Sequence, residues 1–453
     1  MASRSQIGPS SSARRCDALV IGGGPGGSTA AALLCAKGWQ VVLLEKDRHP
    51  RFHIGESLLP MNLPILERLG VLEQVRSIGV PKLGAEFGGA DGGIGDRLTM
   101  YFRNAMDKAH PLAYQVRRSE FDELLIRNAA RKGVEVHEGV RVTRVDLGGK
   151  DRDRTIVSAQ NEQGASLEWQ ARFVVDASGR DTFLARQLGL KRKNPHHQSA
   201  AVFGHFRDVV RRPGEDAGNI GIYWFEHGWF WMIPLRDGVT SVGAVCWPEY
   251  LKTRSGSLEA FLHRTIDLCP EVKTRMANAA ACDTIRATGN YSYRARRMAG
   301  DGYILVGDAF AFIDPVFSTG VFLSMNSAVL GAEAVDGCLR DPAAQRRLLR
   351  RYERRVRRGL DTVSWFIYRF TTPAMRHLFM HPRNIFRVEE ALISLLAGDV
   401  FRKTPIGPRL ALFKAVYWLN MVSMLGASWS AFRLPRRNVA ERLAGDNTSR
   451  ATE

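Results

Sequence analysis

Three short apolar segments, far apart in the chain, each end in a turn that contains glycine or aspartate. They are Asp17–Ile21 before the glycines at 22–24, Phe173–Val175 before Asp-Ala-Ser-Gly, and Tyr303–Val306 before Gly-Asp-Ala. Apolar runs bounded by such turns are typical of buried parallel strands. The pattern predicts an α/β fold in which distant segments build one sheet.

The first of these segments begins a strand–helix–strand unit. The alanine-rich run from Ser28 to Lys37 predicts a helix that stops at Gly38. The apolar run Trp39–Leu44 predicts a second strand that ends at Glu45. The chain therefore contains a complete βαβ unit near its start.

A glycine pattern lies in the turn of this unit, where Gly22, Gly24 and Gly27 spell GxGxxG. The first glycine permits a tight turn, the second lets the backbone approach a pyrophosphate, and the third allows close helix–strand packing. Glu45 lies about 20 residues further on, where a carboxylate accepts hydrogen bonds from ribose hydroxyls. The unit predicts an adenine dinucleotide site with its anion at the helix N-terminus.

The rest of the pattern indicates two further regions. Between about Ala200 and Tyr293, aromatic and polar residues interleave, which predicts an inserted antiparallel sheet. Phe317–Val329 predicts a helix after the third turn. From Arg340 onward, apolar residues recur at helical spacing, and aromatic residues continue to Phe432. A helical C-terminal region is therefore expected.

The composition is that of a globular protein with excess positive charge. The 453 residues are 45% hydrophobic and 24% charged, which excludes a disordered or collagen-like chain. Lys and Arg number 64 against 46 Asp and Glu, so the net charge is +18 and points to an acidic partner. Nine arginines against two acidic residues lie between Arg340 and Arg358. No nucleic-acid recognition motif accompanies them, so no nucleic-acid binding is expected.

Cysteine usage and the N-terminus bear on location. The six cysteines include no CxxC pair, and no histidine cluster has zinc-ligand spacing. We therefore expect neither a metal site nor a disulfide framework. A reducing, cytoplasmic environment agrees with this cysteine usage. Residues 1–15 are rich in serine and basic residues without the apolar core of a signal peptide, and are interpreted as a flexible tail.

Further motifs resemble the FAD site of the glutathione-reductase-like flavoproteins. Gln-Val-Arg-Arg at 115–118, with Phe121-Asp122, resembles their helix start at which an arginine contacts FAD. Asp-Ala-Ser-Gly at 176–179 and Gly-Asp-Ala at 307–309 resemble two more of their motifs. The match keeps the family's order over most of residues 17–330. It implies FAD rather than NAD as the cofactor.

Within these flavoproteins, the chain most resembles the flavin-dependent halogenases. Residues 229–234 match their WxWxIP motif in full, and residues 314–320 resemble the segment beside their flavin ring and halide site. Pro-Lys-Leu-Gly-Ala at 81–85 resembles the KxGA segment of halogenases that act on phenols, pyrroles and carrier-bound substrates. His-Ile-Gly-Glu-Ser at 53–57 resembles their GES segment near the flavin.

The resemblance implies a halogenase of secondary metabolism, including antibiotic biosynthesis. Reduced FAD from a separate NAD(P)H-dependent flavin reductase, with O2 and chloride or bromide, would yield hypohalous acid, and a lysine would deliver the halogen to an electron-rich aromatic substrate. The implied catalytic residues are Lys82, Trp229, Trp231 and Ser318, and the implied halide residues are Thr319 and Gly320. The implied cofactor contacts are Gly22, Gly24, Pro25, Gly27, Glu45, Lys46, Glu56, Ser57, Arg118, Asp176, Gly179, Asp308, Pro315 and Gly320.

Three of these assignments have a purely structural alternative. The implied role of Lys82 needs a partly neutral amine, and burial among its apolar neighbours would favour one. The alternative is a surface lysine on an edge strand, where most lysines lie. Trp229 and Trp231 point to the same side of a strand. There they form either a wall between flavin and substrate or an aromatic pair in the core. Thr319 and Gly320 begin a helix that would bind the halide or cradle only the flavin.

The motifs together predict a Rossmann-like FAD-binding domain with an inserted, mainly antiparallel substrate-domain sheet and a helical C-terminal region. Residues 16–79, 111–195 and 295–340 are assigned to the FAD-binding domain, 80–110 and 196–294 to the substrate domain, and 341–453 to the C-terminal region. The apolar run Leu410–Phe432 is interpreted as a helical lid, a peripheral membrane contact or a membrane span; Lys414 and Asn420 argue against the span.

Other functions and partners stay open. The alternatives are an FAD-dependent monooxygenase that hydroxylates or epoxidises, a flavoprotein that resembles the geranylgeranyl reductases, and a non-enzymatic membrane-surface protein. A second GxGxxG motif is missing, which agrees with an external flavin reductase. The expected substrate is a small aromatic molecule, free or on an acyl or peptidyl carrier protein. The basic helix that follows Arg346 would suit an acidic carrier.

Overall fold

A computed structural model describes residues 14–89, 97–148, 154–194, 198–289, 292–402 and 404–423. The helices are α1 Pro25–Cys35, α2 Leu63–Leu69, α3 Leu72–Ile78, α4 Arg118–Arg131, α5 Phe183–Gln187, α6 Pro248–Lys252, α7 Leu258–Ile266, α8 Pro270–Arg275, α9 Thr319–Arg340, α10 Gln345–Ile367, α11 Pro373–Met380, α12 Val388–Leu396 and α13 Ile406–Ser423.

The strands complete the description of the elements. They are β1 Arg14–Ile21, β2 Val41–Glu45, β3 Val80–Lys82, β4 Gly84–Gly88, β5 Arg97–Tyr101, β6 Ala113–Gln115, β7 Glu135–Glu138, β8 Val140–Asp146, β9 Thr155–Asn161, β10 Ser166–Asp176, β11 Lys191–Lys193, β12 Ala200–Arg207, β13 Ile220–Phe225, β14 Gly228–Pro234, β15 Thr240–Cys246, β16 Ala280–Ala281, β17 Arg286–Gly289, β18 Tyr293–Ala295, β19 Ala299–Gly300, β20 Tyr303–Leu305 and β21 Ala311–Phe312.

The predicted sheet of distant segments is confirmed. Strands β20, β10, β1, β2 and β7 pair in parallel in that order. Strand β1 begins at Arg14, three residues before the predicted start, because Arg14 and Arg15 pair with Trp169 and Gln170 of β10. Two residues of the predicted tail therefore belong to the sheet, and residues 1–13 lie outside the described part of the chain.

The inserted sheet is also confirmed, and it carries helices that the pattern missed. Its strand order is β16-β12-β15-β14-β13-β4-β5, antiparallel except for the β13–β4 pair. Helices α6, α7 and α8 follow β15, and Phe230 and Met232 of β14 belong to a separate core with Phe261 and Val272 of these helices. The opposite face of β14 turns Trp229 and Trp231 toward the main core.

The C-terminal region is helical as expected. The helix predicted for Phe317–Val329 runs on as α9 to Arg340, since its glycines give room to neighbouring elements: Gly331 lies against the Ile304 side chain and Gly337 against Leu348 of α10. None of the helices described combines the length and the apolar character that crossing a bilayer requires. The predicted Leu410–Phe432 segment is described only as far as the end of α13, and residues 424–453 lie outside the described part.

Candidate active site

A cavity of about 770 Å³ opens where the carboxyl ends of the parallel strands meet. Its lining includes Gly22 after β1, Glu45 at the end of β2, Ala177 after β10 and Val306 after β20. Open α/β sheets bind ligands at this edge because their strands end there together with helix N-termini. The inserted sheet closes the cavity through β12, β13, β14 and β17.

The glycine loop leaves room for a phosphate next to bare backbone. A Cβ on Gly27 would lie 1.8 Å from the Gly22 carbonyl oxygen, so only glycine lets α1 pack on β1 here. Gly22 has φ +100°, in the left-handed region that favours glycine. Gly24, the N-cap of α1, faces the cavity, and the nearest atom to a Cβ there is Arg51 Nη2 at 3.6 Å. The loop therefore holds an anion-sized opening at a helix N-terminus.

The Glu45 carboxylate ties the loop to the second strand. It is buried, and it accepts hydrogen bonds from Gly23 N at 2.6 Å and Asp47 N at 2.9 Å. Arg51 Nη2 lies 3.7 Å away. A carboxylate accepts about four hydrogen bonds in all, so capacity remains for ribose hydroxyls.

A buried ion-pair network forms the next part of the lining. Arg118, at the start of α4, pairs with Asp122 at 2.7 Å and donates to Ile54 O at 2.8 Å. Burial alone would raise the pKa of Asp122, but Arg118 holds it below its ordinary value. Arg118 and burial together lower the pKa of His53 to about 4, so its imidazole is neutral near pH 7. Arg51, which the sequence did not indicate, also contacts Asp122, at 3.3 Å.

The two aspartates of the flavoprotein turns occupy different environments. Asp308 lines the cavity, and burial raises its pKa to about 6 against the opposing effect of Arg180 and Arg118. Asp176 is buried behind the lining and accepts hydrogen bonds from Ser178 N and Leu184 N. Asp176 thus supports the turn and does not itself line the cavity.

The 314–320 segment brings a helix N-terminus to the cavity. Asp314 accepts from Val316 N at 3.1 Å, and Ser318 takes a left-handed conformation with φ 56° immediately before α9. Thr319 and Gly320 begin this 22-residue helix and line the cavity, and a Cβ on Gly320 would meet no atom within 4 Å. Since the first N–H groups of a helix have no intrahelical partner, this end attracts an anion.

Two tryptophans form one wall of the cavity. Trp229 and Trp231 lie on the same face of β14 with ring centroids 6.1 Å apart, and both are buried. Trp231 donates from Nε1 to Ser241 Oγ at 3.2 Å, and its ring packs over Gly243. These contacts hold the indole in one orientation.

Lys82 lies behind the cavity lining rather than in it. The side chain is fully buried, and Nζ donates to Ser57 Oγ at 2.9 Å and to Leu58 O at 3.1 Å. Nζ also lies 5.2 Å from the centroid of the Phe102 ring, and it forms no ion pair within the described ranges. Burial lowers the pKa of Lys82 to about 7, so much of the amine is neutral near neutral pH. The surface alternative for this lysine is wrong.

The residues present fit FAD. Most of the predicted site residues line the one cavity: Gly22, Gly24, Pro25, Glu45, Lys46, Glu56, Ser57, Arg118, Gly179, Trp229, Trp231, Asp308, Pro315, Ser318, Thr319 and Gly320. Gly27, Asp176 and Lys82 stand immediately behind it. The cavity volume is within the usual range of cofactor sites, and the opening at Gly24 suits a pyrophosphate.

Comparison with known proteins identifies the family. A family model described as an FAD binding domain matches residues 15–365. The structure of the myxobacterial chondrochloren halogenase CndH, an FAD-dependent halogenase, superposes with a TM-score of 0.75 at 35% identity, over 91% of this chain and 97% of that one. The chain belongs to the flavin-dependent halogenases. It is therefore an FAD-dependent oxidoreductase by family, and the predicted fold class and cofactor are confirmed.

Two further halogenases are similar to this chain in sequence. Tryptophan 2-halogenase of Chondromyces crocatus is 38% identical over 324 residues, which are 70% of this chain and 60% of that relative. The chlorinase of 1H-pyrrole-2-carbonyl peptidyl-carrier protein from Pseudomonas fluorescens is 29% identical over 408 residues, 85% of this chain and 89% of that one. One relative is thus named for tryptophan, and the other for a carrier-bound pyrrole.

Proposed function

We propose that this protein halogenates an electron-rich aromatic substrate, with Lys82 as the residue that delivers the halogen. The single observation that carries the proposal is the buried, partly neutral Lys82 amine next to Ser57, a residue of the FAD cavity lining. Reduced FAD, when bound, supplies with O2 the two-electron oxidation that converts halide to hypohalous acid. A neutral amine is the nucleophile that accepts electrophilic halogen, whereas an ammonium group has no free electron pair.

The halide is assigned to the N-terminus of α9. Thr319 and Gly320 offer backbone N–H groups at the cavity surface, and Ser318 is the N-cap. Backbone donors at a helix N-terminus hold an anion without the help of a cationic side chain.

Trp229 and Trp231 are assigned the role of a wall that limits direct contact between substrate and flavin. Changing Trp231 to phenylalanine removes the bond to Ser241 and part of the wall. We expect the ratio of halogenated product to released hydrogen peroxide to fall about tenfold or more, since misplaced active-site geometry is costly. Peroxide and product are quantified in the same reaction. Trp169 is a buried strand tryptophan outside the cavity lining, so Trp169→Phe, which should keep the wild-type ratio, is the control.

The substrate class includes phenols and pyrroles, free or carried on an acyl or peptidyl carrier protein, and a separate reductase supplies the reduced flavin. Helix α10 favours a carrier. Its buried stripe includes Leu349, Tyr352 and Val356, whereas its arginines lie on the other faces. Among the described residues, ion pairs engage only Arg355 and Arg357 of its eight arginines. An unpaired cationic helix face is complementary to an acidic carrier.

Reversing charge on α10 tests the carrier assignment. The triple change Arg347→Glu, Arg351→Glu and Arg354→Glu should raise KM for a carrier-bound pyrrole or phenol acyl group about tenfold or more. KM for the same acyl group on free pantetheine should stay unchanged, because the arginines lie outside the cavity. Equal effects on both substrates would contradict docking through this helix.

The proposed function is tested with purified protein, FAD, a flavin reductase, NADH, chloride and bromide. A panel of phenols, pyrroles and carrier-tethered acyl groups is analysed by mass spectrometry. We expect halogenated product from at least one class, with no product when halide is omitted. Hydroxylated product alone, or NADH oxidation stimulated by substrate without the reductase, would contradict the proposal in favour of a monooxygenase.

A further inference from the structure

A buried carboxylate of the cavity lining is paired with a histidine from the inserted sheet. Glu56 is 1% exposed, and His205 Nε2 of β12 lies 3.0 Å and 3.2 Å from its two carboxylate oxygens. The two residues are 149 positions apart in the chain. The pair connects the segment between β2 and α2 to the inserted sheet at the edge of the cavity.

The other ring nitrogen of the histidine faces a second, partly exposed carboxylate. His205 Nδ1 lies 3.9 Å from Asp283 Oδ2, and about a third of the Asp283 side chain is exposed. Arg286 pairs with Asp283 at 2.7 Å and lies 4.0 Å above the Phe52 ring, which meets the His205 ring edge-on. The imidazole is therefore held between one buried and one partly exposed carboxylate.

Halogenation needs a proton at this cavity. Reduced FADH2, O2, one halide ion, one aromatic C–H and one proton give FAD, an aryl halide and two water molecules, so charge and atoms balance only when a proton enters. Hydroxylation of the same substrate consumes none. A proton that enters a closed cavity needs groups that accept and release it, and an imidazole with a carboxylate near each nitrogen is such a group.

We propose that Glu56, His205 and Asp283 form the proton entry path of the active site, an inference that rests on the proposed halogenase function. His205 takes a solvent proton on Nδ1 beside Asp283 and gives its Nε2 proton to Glu56. Loss of the Nδ1 proton to solvent and reprotonation at Nε2 then restore the starting tautomer. Protonated Glu56 then releases its proton into the cavity and returns to the carboxylate. The charged groups that face this path are Arg286 on the outer side, and Arg118 behind the Ile54–Gly55 backbone on the inner side.

A substitution at position 205 distinguishes a proton path from a merely structural pair. A structural pair needs only a hydrogen bond between Glu56 and His205, which glutamine at position 205 preserves in length and polarity. A proton path needs a group that changes protonation, which glutamine cannot do. His205→Gln should therefore retain FAD affinity and lose turnover, whereas a structural role predicts little change in either.

The test is single-turnover halogenation with pre-reduced FAD, so that the reductase does not limit the rate. We expect His205→Gln to slow product formation about 10²-fold, imidazole added to the buffer to restore much of the rate, and the Kd for FAD from fluorescence quenching to stay within twofold. His227, which pairs with Glu226 at 3.8 Å outside the cavity lining, provides the control His227→Gln with unchanged rate.

A measurement on the protein without cofactor provides a second readout. In ¹⁵N-histidine spectra of the apo protein, Glu56→Gln should move the His205 Nε2 resonance and leave that of His227 in place. Two results would overturn the proton path while the proposed function stands. One is an active wild type with a fully active His205→Gln variant, and the other is a loss of rate in His205→Gln that imidazole does not restore. A wild type that makes no halogenated product would instead remove the proposed function.

Discussion

Changing Lys82 to methionine is expected to lower aromatic halogenation at least about 10²-fold while the protein still binds FAD and oxidises halide. Methionine fills nearly the same buried volume without a nucleophilic nitrogen. It also removes a group whose charged form is destabilised by burial, so the fold should persist. Lys82 lies outside the cavity lining and touches it only through the hydrogen bond to Ser57 Oγ, so most of the flavin site should be undisturbed.

Three measurements check this expectation together. Product is followed by mass spectrometry, FAD affinity by fluorescence quenching, and freed hypohalous acid by chlorination of monochlorodimedone. The variant should lose the first, keep the second, and release more of the third than the wild type does. Product formation at the full rate in Lys82→Met would contradict the role of the amine.

The direction of the pH dependence follows from the burial of Lys82. Its pKa near 7 means that the neutral amine gains population as pH rises through this value. The wild-type rate of halogen transfer should accordingly increase between about pH 6 and pH 8 and then level off. Lys82→Arg, which stays charged at every working pH, should be inactive throughout this range.

Two glycines of the same loop are expected to respond in opposite ways to alanine. In Gly27→Ala the new Cβ would overlap the Gly22 carbonyl oxygen, so α1 must move away from β1. We expect a loss of about 3 kcal/mol or more in the free energy of unfolding. In Gly24→Ala the new Cβ meets no atom closer than 3.6 Å, so the apo fold should be kept.

The second substitution should act on the cofactor alone. The Gly24 Cβ would occupy the space in which backbone approaches the pyrophosphate, and FAD affinity should fall about tenfold or more. Thermal unfolding of both apo variants and FAD titration separate the two effects. An apo Gly24→Ala protein that binds FAD as tightly as the wild type would show that the phosphate lies elsewhere.

The parts of the fold that local patterns encode could be predicted from the sequence. The β1–α1–β2 unit is one such part. Its glycine spacing, its alanine-rich helix and Glu45 lie close together in the sequence, so the local pattern was enough to predict it. The apolar stripe of α10 is another. Helices α6–α8 were missed because the interleaved pattern of the inserted sheet was extended across them.

Contacts between distant segments could not be predicted. The burial of Lys82 depends on Ser57 and Phe102, which the chain brings to it from other elements. The Glu56–His205 pair joins the segment after β2 to the inserted sheet, and no local signal marks His205. Family motifs indicated Lys82 and Glu56. Their environments, which determine the chemistry open to them, became visible only in the structure.

The most direct test of the halogenase assignment follows the fate of oxygen. Purified protein with FAD, a flavin reductase, NADH, bromide and ¹⁸O2 reacts with a substrate identified from the phenol and pyrrole panel. We expect a product in which one hydrogen is replaced by bromine and which carries no ¹⁸O, with both labelled oxygen atoms in water. A product that contains ¹⁸O and no bromine would contradict it and establish a monooxygenase.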